Sequence, residues 1–296
     1  MNIVLVSLVV ILNLHHFSAH FIGKEHWDDD ELELCDHPEL DEFTSTKDAL
    51  CYSYIHKFHQ VNVEVLNWFP ALIVYRNLLK PEQVEHFLDE FEDAETYLQT
   101  VHEMNGSSTQ SDSRRANGSF FEHDENEATY SVFSTISTLI PGIDFEMAEP
   151  FSTLSYHPGG HYAPHFDYLT YDEHVDSRDF WAQTMGNRMA TLIVMLREPL
   201  RGGATVFPHL RTTVRLMAGD AVIWFNMRAD GEREPLSLHG GCPIYEGHKI
   251  ITTLWIHENK QKIAAEASAD YPISFNWLQP GYAEDLHPIM VQTNFC

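Results

Sequence analysis

Basic side chains are scarce: 18 lysines and arginines stand against 44 aspartates and glutamates, a formal charge of −26 over 296 residues. A chain this acidic is repelled by phosphate backbones and by anionic bilayer surfaces, so neither nucleic acid nor such a surface is an expected partner. Long apolar runs are also few. The leader MNIVLVSLVVILNLHHFSAHFIG holds one run, from Ile3 to Leu14, too short for a comfortable membrane span. With small residues at Ser18 and Ala19 it reads as a signal peptide over 1–19, and no stable membrane span is expected. No internal repeat is visible. Cysteine is limited to Cys35, Cys51, Cys242 and Cys296. An even count in a secretory chain suggests two disulfides with three possible connectivities. Closure between nearest neighbours gives Cys35–Cys51 and leaves Cys242–Cys296; free thiols are the alternative.

The rest is ordinary globular material, 44% hydrophobic and long enough for a sizeable core. Asn-Gly-Ser sequons at Asn105 and Asn117 fit the secretory route, so the expected location is the endoplasmic reticulum lumen or the exterior. Residues 20–64, including WDDDELEL, read as an exposed acidic lead-in with a small disulfide loop. LNWFPALIVYRNLL (66–79) reads as a strand entering a domain. Val84, Phe87, Leu88 and Phe91 then fall at helical spacing behind Pro81, which predicts an amphipathic helix. Residues 103–125 read as an exposed loop, and 129–140 as a second helix with Val132, Phe133, Ile136 and Leu139 facing the core. From 150 onward short β-rich runs alternate with Gly and Pro turns: FSTLSYH, HYAPHFDYLT, NRMATLIVMLR, GATVFP, TTVRLMAG, DAVIWFNM and HKIITTLWIHE. The expected class is mainly β with flanking helices (α+β), with helices packed outside a β sandwich or barrel.

One stretch, GGHYAPHFDYL (159–169), concentrates potential metal ligands. In a strand, positions i and i+2 share a face, so His165 and Asp167 are expected to project together. An imidazole and a carboxylate on one face offer two ligands, and a third from elsewhere would complete the 2-His-1-carboxylate set that suits non-haem Fe(II). His239, in LSLHGGCPIYEGHK, is the candidate. Lys249 follows ten positions later, at the start of an apolar strand. A lysine directed into an apolar barrel is costly unless paired, and a dicarboxylate co-substrate would supply the pair. From the residues alone, a hydrogen-bonded core cluster competes evenly with a metal site. Lys249 could also be a plain exposed strand lysine.

Six stretches carry a family likeness: SYHPGGHYAPHFDYL, GNRMATLIVML, GGATVFP, GDAVIWFN, LHGGCPIYEGHK and LWIHE. In this order they resemble the catalytic domain of the prolyl 4-hydroxylases, iron- and 2-oxoglutarate-dependent dioxygenases, over about 66–260. The resemblance implies a double-stranded β-helix, or jelly roll, flanked by helices. It implies His165, Asp167 and His239 as iron ligands, and Lys249 as the partner of the distal carboxylate of 2-oxoglutarate. Thr205 and Tyr156 would hydrogen-bond that carboxylate, while Tyr162, Arg188 and Trp255 would line the peptide groove near the iron. Plain strand or core roles are the alternatives for Tyr156, Tyr162 and Trp255. The implied reaction couples hydroxylation of peptidyl proline to oxidative decarboxylation of 2-oxoglutarate, giving succinate and CO2. Its cofactors are Fe(II), 2-oxoglutarate and O2, with ascorbate to rescue oxidised iron.

The implied partners are a proline-containing peptide or protein and, from the collagen-type alpha subunits, protein disulfide isomerase. The pairs Cys35/Cys51 and Cys242/Cys296 are spaced like the two disulfides of those subunits, whose long peptide-binding upstream region is expected to be absent, since only a few dozen residues precede the likeness here. Arg115 matches a basic position in the family's substrate loop. Competing readings are hydroxylation of another side chain such as lysine, and a non-catalytic subunit on the same scaffold. His161 is expected at the barrel mouth or against substrate, His174, His209 and His248 exposed, and His257 structural. The expected divisions are thus a leader (1–19), a lead-in (20–64), a dioxygenase domain (65–260) and a tail (261–296).

Overall fold

The computed structural model describes residues 21–36, 50–102, 107–171, 180–261, 278 and 290–293. Its helices are α1 (Asp29–Asp36), α2 (Pro81–Asp93), α3 (Glu127–Leu139) and α4 (Phe180–Met185). In chain order the strands are β1 (Leu50–His56), β2 (His59–Trp68), β3 (Ala71–Arg76), β4 (Tyr97–Leu98), β5 (Val101–His102), β6 (Ser108–Thr109), β7 (Arg114–Arg115), β8 (Asn117–Phe121), β9 (Phe151–Tyr156) and β10 (His161–His165). They continue with β11 (Arg188–Arg197), β12 (Arg201–Gly202), β13 (Thr205–Phe207), β14 (Thr212–Val214), β15 (Ala221–Phe225), β16 (His239–Gly241), β17 (Ile244–Glu246), β18 (Lys249–His257) and β19 (Val291–Thr293).

Two antiparallel sheets carry the fold. The major one runs β19-β1-β2-β3-β15-β11-β18-β9-β8-β4 and the minor one β14-β13-β16-β10-β7. One face of the major sheet, with Ile73, Leu192, Val194, Ile223 and Leu254, packs under α2 and α3 through Phe87, Phe91, Val132 and Ile136. Its other face, with Val74, Leu154, Ile193, Val222 and Ile251, packs on Phe207 and Val214 of the minor sheet. Central strands are therefore covered on both sides, which is why every residue of β18 is buried and its sequence reads as a near-continuous apolar run. This is a jelly-roll core with helices outside, as expected.

Both helices form where the apolar spacing places them. Pro81 occupies the first turn of α2, and Val84, Phe87 and Phe91 are buried along one stripe with Leu88 half-buried beside them. At the start of α3 the Asn126 side chain accepts the Thr129 backbone N–H at 2.9 Å.

The lead-in differs from expectation. Residues 50–64 are not an exposed approach: they form β1 and the first part of β2 within the major sheet. Residues 21–36 form a strap ending in α1, and its Phe21, Trp27 and Leu34 cover the outer face of the minor sheet at Ala163, Ala204 and Val206. The expected loop over 103–125 is also structured in part, since β6, β7 and β8 run through it. Asn117 is exposed on β8, whereas Asn105, the 1–19 leader and most of the 261–296 tail lie outside the described residues.

The disulfide pairing is corrected as well. Cys35 bonds Cys242, with Cα atoms 5.7 Å apart, rather than Cys51. Cys51 is itself disulfide-bonded, and Cys296 lies outside the described residues. The cause is tertiary. Cys35 ends α1 against the minor sheet, while Cys51 sits on β1 between β2 and β19 in the major sheet. Although close in sequence, the two belong to different parts of the sandwich, one packed on the minor sheet and the other within the major sheet. Non-reducing proteolysis followed by mass spectrometry should yield a Cys35–Cys242 cross-linked peptide and no Cys35–Cys51 peptide.

Candidate active site

His165 ends β10 and His239 opens β16, and the two are directly opposed across the antiparallel pair. Asp167 lies two residues past the end of β10, in a bend. Its two carboxylate oxygens are each 3.5 Å from an imidazole, Oδ1 from His165 Nε2 and Oδ2 from His239 Nε2. The three potential ligand atoms lie within 4.8 Å of one another. Asp167 and His239 are 5% and 4% exposed, whereas the His165 side chain is 19% exposed, so the cluster opens on the His165 side.

The expected residues thus meet, but not by the expected parity. A register shift separates Tyr162 from His165, so an even and an odd position face the same way, and the Tyr162 and His165 rings stack at 3.5 Å. His161, which shares nominal parity with His165, faces outward. It is not at the barrel mouth but fully buried beneath the strap, accepting at Nδ1 from Trp27 Nε1–H at 2.9 Å and donating from Nε2 to Ile22 O.

Both histidines of the cluster are oriented from behind. His165 Nδ1 donates to Ala163 O at 2.8 Å and His239 Nδ1 to Ser237 O at 2.9 Å, which leaves each Nε2 lone pair directed at the cluster. Asp167 is oriented by a buried relay: Trp224 Nε1 donates to Asn226 Oδ1, Asn226 Nδ2 to Thr191 Oγ1, and Thr191 Oγ1 to Asp167 Oδ2 at 2.7 Å. Burial alone would raise the Asp167 pKa; His239 and His165 outweigh it and hold the carboxyl well below its usual range. Burial pushes His239 down to about 4, partly opposed by Asp167, so its imidazole is neutral near pH 7. Two imidazoles and an ionised carboxylate, convergent and held from outside, fit a divalent transition metal of the Fe(II) type.

Next to the cluster is a small cavity whose lining includes Lys249, Tyr156 and Thr205, with Leu154, Ile193 and Ile251 between. Lys249 and Tyr156 are opposed residues of β18 and β9. The Lys249 ammonium donates to Gly203 O at 2.6 Å, and burial pushes its pKa down to about 8. Burial pushes the Tyr156 phenol up to about 12, so it remains a neutral donor.

Adjoining it is a larger groove of about 720 Å³ that reaches Tyr162, Arg188 and Trp255. Glu149, buried, grips Arg188 through Oε1 to Nε at 2.6 Å and Oε2 to Nη2 at 3.0 Å. The guanidinium lies 3.9 Å over the Trp255 ring. Burial raises the Glu149 pKa, but Arg188 and His257 more than offset it and bring it to about 2. His257 is structural, as expected, with its two ring nitrogens against Gly186 O and Glu149 Oε1.

Reading by residue type passed over several participants. Arg114 lines both cavities, sits 4.7 Å over the Tyr162 ring and uses Nη1 to bond Thr100 O, while its buried Nε and Nη2 have no hydrogen-bond partner. Arg115, the basic residue singled out from the same loop, pairs at the surface with Asp112. Glu149, Thr191, Trp224 and Asn226 carried no sequence signal beyond lying in or beside the quoted stretches. Among the other histidines, His209 is exposed, but His248 is half-buried, bonded to Ser155 Oγ at 2.7 Å and stacked on His157. His174 lies outside the described residues.

Comparison with known proteins gives the following. The family model "2OG-Fe(II) oxygenase superfamily" matches residues 151–257. Prolyl 4-hydroxylase 5 of Arabidopsis thaliana is 32% identical over 222 residues, spanning 68% of this chain and 73% of its own length. Prolyl 4-hydroxylase subunit alpha-2 of Caenorhabditis elegans is 28% identical over 223 residues, 75% of this chain but only 40% of that subunit. Among solved structures, the viral collagen prolyl hydroxylase vCPH from Paramecium Bursaria Chlorella virus-1, in its 2OG complex, is 21% identical with a TM-score of 0.47, covering 62% of this chain and 94% of that one.

The relay behind Asp167 is testable. Thr191→Val should lower the affinity of the apo protein for Co(II) roughly 10-fold, the scale of lost support behind a metal ligand. Asp167→Ala should abolish binding. Isothermal titration calorimetry measures both.

Proposed function

The chain belongs to the 2OG-Fe(II) oxygenase superfamily, among its prolyl 4-hydroxylase-like members, and from that premise we propose that it hydroxylates C4 of peptidyl proline in secretory-pathway proteins. It is an Fe(II)/2-oxoglutarate-dependent dioxygenase. In the proposed reaction one oxygen atom of O2 enters the new C4–OH and the other enters succinate, with CO2 released from 2-oxoglutarate.

One observation carries the reading: among the described residues, the cluster of His165, Asp167 and His239 borders both a small cavity lined by the buried Lys249 and a larger groove. The cavity suits a short dicarboxylate, because its lining combines the metal-ligand candidates, a buried cation and apolar side chains. His165, Asp167 and His239 would hold the iron, and Lys249, Tyr156 and Thr205 the distal carboxylate of 2-oxoglutarate. Iron with its co-substrate and O2 supplies the oxidising chemistry; the chain binds, orients and excludes water. Arg114 and Trp255, which line the groove, carry buried N–H groups that lack partners and that a peptide carbonyl could satisfy. Tyr162, Arg188 and Trp255 form the aromatic and cationic wall on which the substrate would lie. The Cys35–Cys242 bond, the second bonded cysteine at Cys51 and the exposed Asn117 sequon support an oxidising secretory compartment. Ascorbate as the reductant of idle iron, and protein disulfide isomerase as a partner, belong to the same proposal on family likeness alone.

Purified protein given Fe(II), 2-oxoglutarate, ascorbate and a library of proline-rich peptides should add one oxygen to proline and release succinate in equal amount, read by mass spectrometry. His165→Ala should do neither. Oxygen on lysine, or no 2-oxoglutarate turnover at all, would sink the reading.

Lys249→Ala should raise the KM for 2-oxoglutarate roughly 100-fold, the scale of removing one partner of a buried charge pair. The pH dependence has a definite sign. Anion binding needs the ammonium form, so 2-oxoglutarate affinity should be flat below about pH 8. Above that it should fall as free Lys249 loses its proton, roughly tenfold per unit. Titration calorimetry of the Co(II)-loaded protein across pH 6–10 would show it.

A further inference from the structure

The ladder between the two histidine-bearing strands is broken at the metal site. β10 and β16 pair only at Tyr162 with Gly241 and at His165 with His239. Between these points β10 runs through two residues, Ala163 and Pro164, where β16 has one, Gly240. Pro164 has no N–H to offer, so the ladder cannot close there. His165 and His239 are themselves an opposed pair, but the interruption beside them leaves that pair with little reinforcement from the rest of the β10–β16 ladder, so packing from outside can bear on their separation.

That support is the strap. Trp27 reaches both strands. Its ring packs against Gly240, where a Cβ would lie 3.1 Å from Trp27 Cη2, and its indole N–H donates to His161 on β10. The backbone at Ile22 accepts from the other nitrogen of the same imidazole. Further along, the Cys35–Cys242 disulfide ties α1 three positions beyond His239. On either side of that bond, Thr213 Oγ1 donates to Leu34 O at 3.0 Å and Tyr245 OH donates to Asp36 Oδ1 at 2.8 Å.

We propose that the 21–36 strap is a positioning clamp for the metal centre, with Trp27 and the Cys35–Cys242 bond holding the strands of His165 and His239 at ligating separation across an interrupted ladder. Trp27 acts through His161 and Gly240 and touches no ligand itself. The clamp concerns the metal centre alone and is independent of which side chain the enzyme hydroxylates.

The test uses the full chain in apo form and two variants. Trp27→Phe keeps an aromatic side chain but removes the N–H and the outer indole ring that reaches Gly240; the Cys35→Ser/Cys242→Ser pair removes the covalent tie. For each, Co(II) affinity is measured by titration calorimetry, the Co(II) visible absorption spectrum reports coordination geometry, and circular dichroism with thermal melting reports the fold. The expected result is a roughly 10-fold loss of Co(II) affinity and a changed Co(II) spectrum in at least one variant, with native far-ultraviolet dichroism at the temperature of measurement. Wild-type affinity and spectrum in both variants would overturn the clamp, even if their melting temperatures fell, because the strap would then be only a structural cover. If the double variant does not fold, Trp27→Phe alone decides between these outcomes.

Discussion

A carboxylate buried between two imidazoles is the interaction around which this molecule is arranged. Asp167 is withdrawn from water, and an isolated buried carboxylate is too costly to keep ionised. Here it stays ionised because His165, His239 and the Thr191 hydroxyl surround it. Each helper is itself fixed, the imidazoles by backbone carbonyls and Thr191 by Asn226 and Trp224. The chain therefore fixes the direction of every ligand lone pair, and a metal ion is met by a prearranged donor set.

The sandwich makes that arrangement possible. The minor sheet presents His165 and His239 inward, and its outer apolar face would meet water but for Phe21, Trp27 and Leu34. The major sheet is covered on both faces, so Lys249 can start β18 inside the core with its ammonium on the Gly203 carbonyl. On the open side, the bidentate Glu149 contact flattens Arg188 against Trp255, turning two side chains of the strand pair β11 and β18 into one rigid wall. A small cavity and a larger groove then share His165 and Asp167 of the cluster in their linings.

Much of this was legible in the residues. The apolar spacing of Val84, Phe87 and Phe91 fits α2 closely, and the β-rich runs after 150 became the strands of both sheets. His165, Asp167, His239 and Lys249 were identified and do meet. The route to Asp167 was nevertheless mistaken: it reaches the site from a bend after the strand, past a register shift that period-two counting cannot see. The same shift sends His161 outward while turning Tyr162 onto His165. Cysteine spacing misled for a related reason, since loop closure counts residues along the chain and knows nothing of the sheet each cysteine joins.

By itself, the sequence determined the class of the fold and the two amphipathic elements, because these depend on local periodicity, and it supplied the candidate ligands through residue type and family likeness. Tertiary structure alone decided which atoms face one another: the Cys35–Cys242 pairing, the relay from Trp224 to Asp167, the Arg114 guanidinium at the junction of two cavities, and the strap over the histidine strands. Those are contacts between residues far apart in the chain. They follow from how two sheets and a strap exclude water together, and no local pattern encodes them.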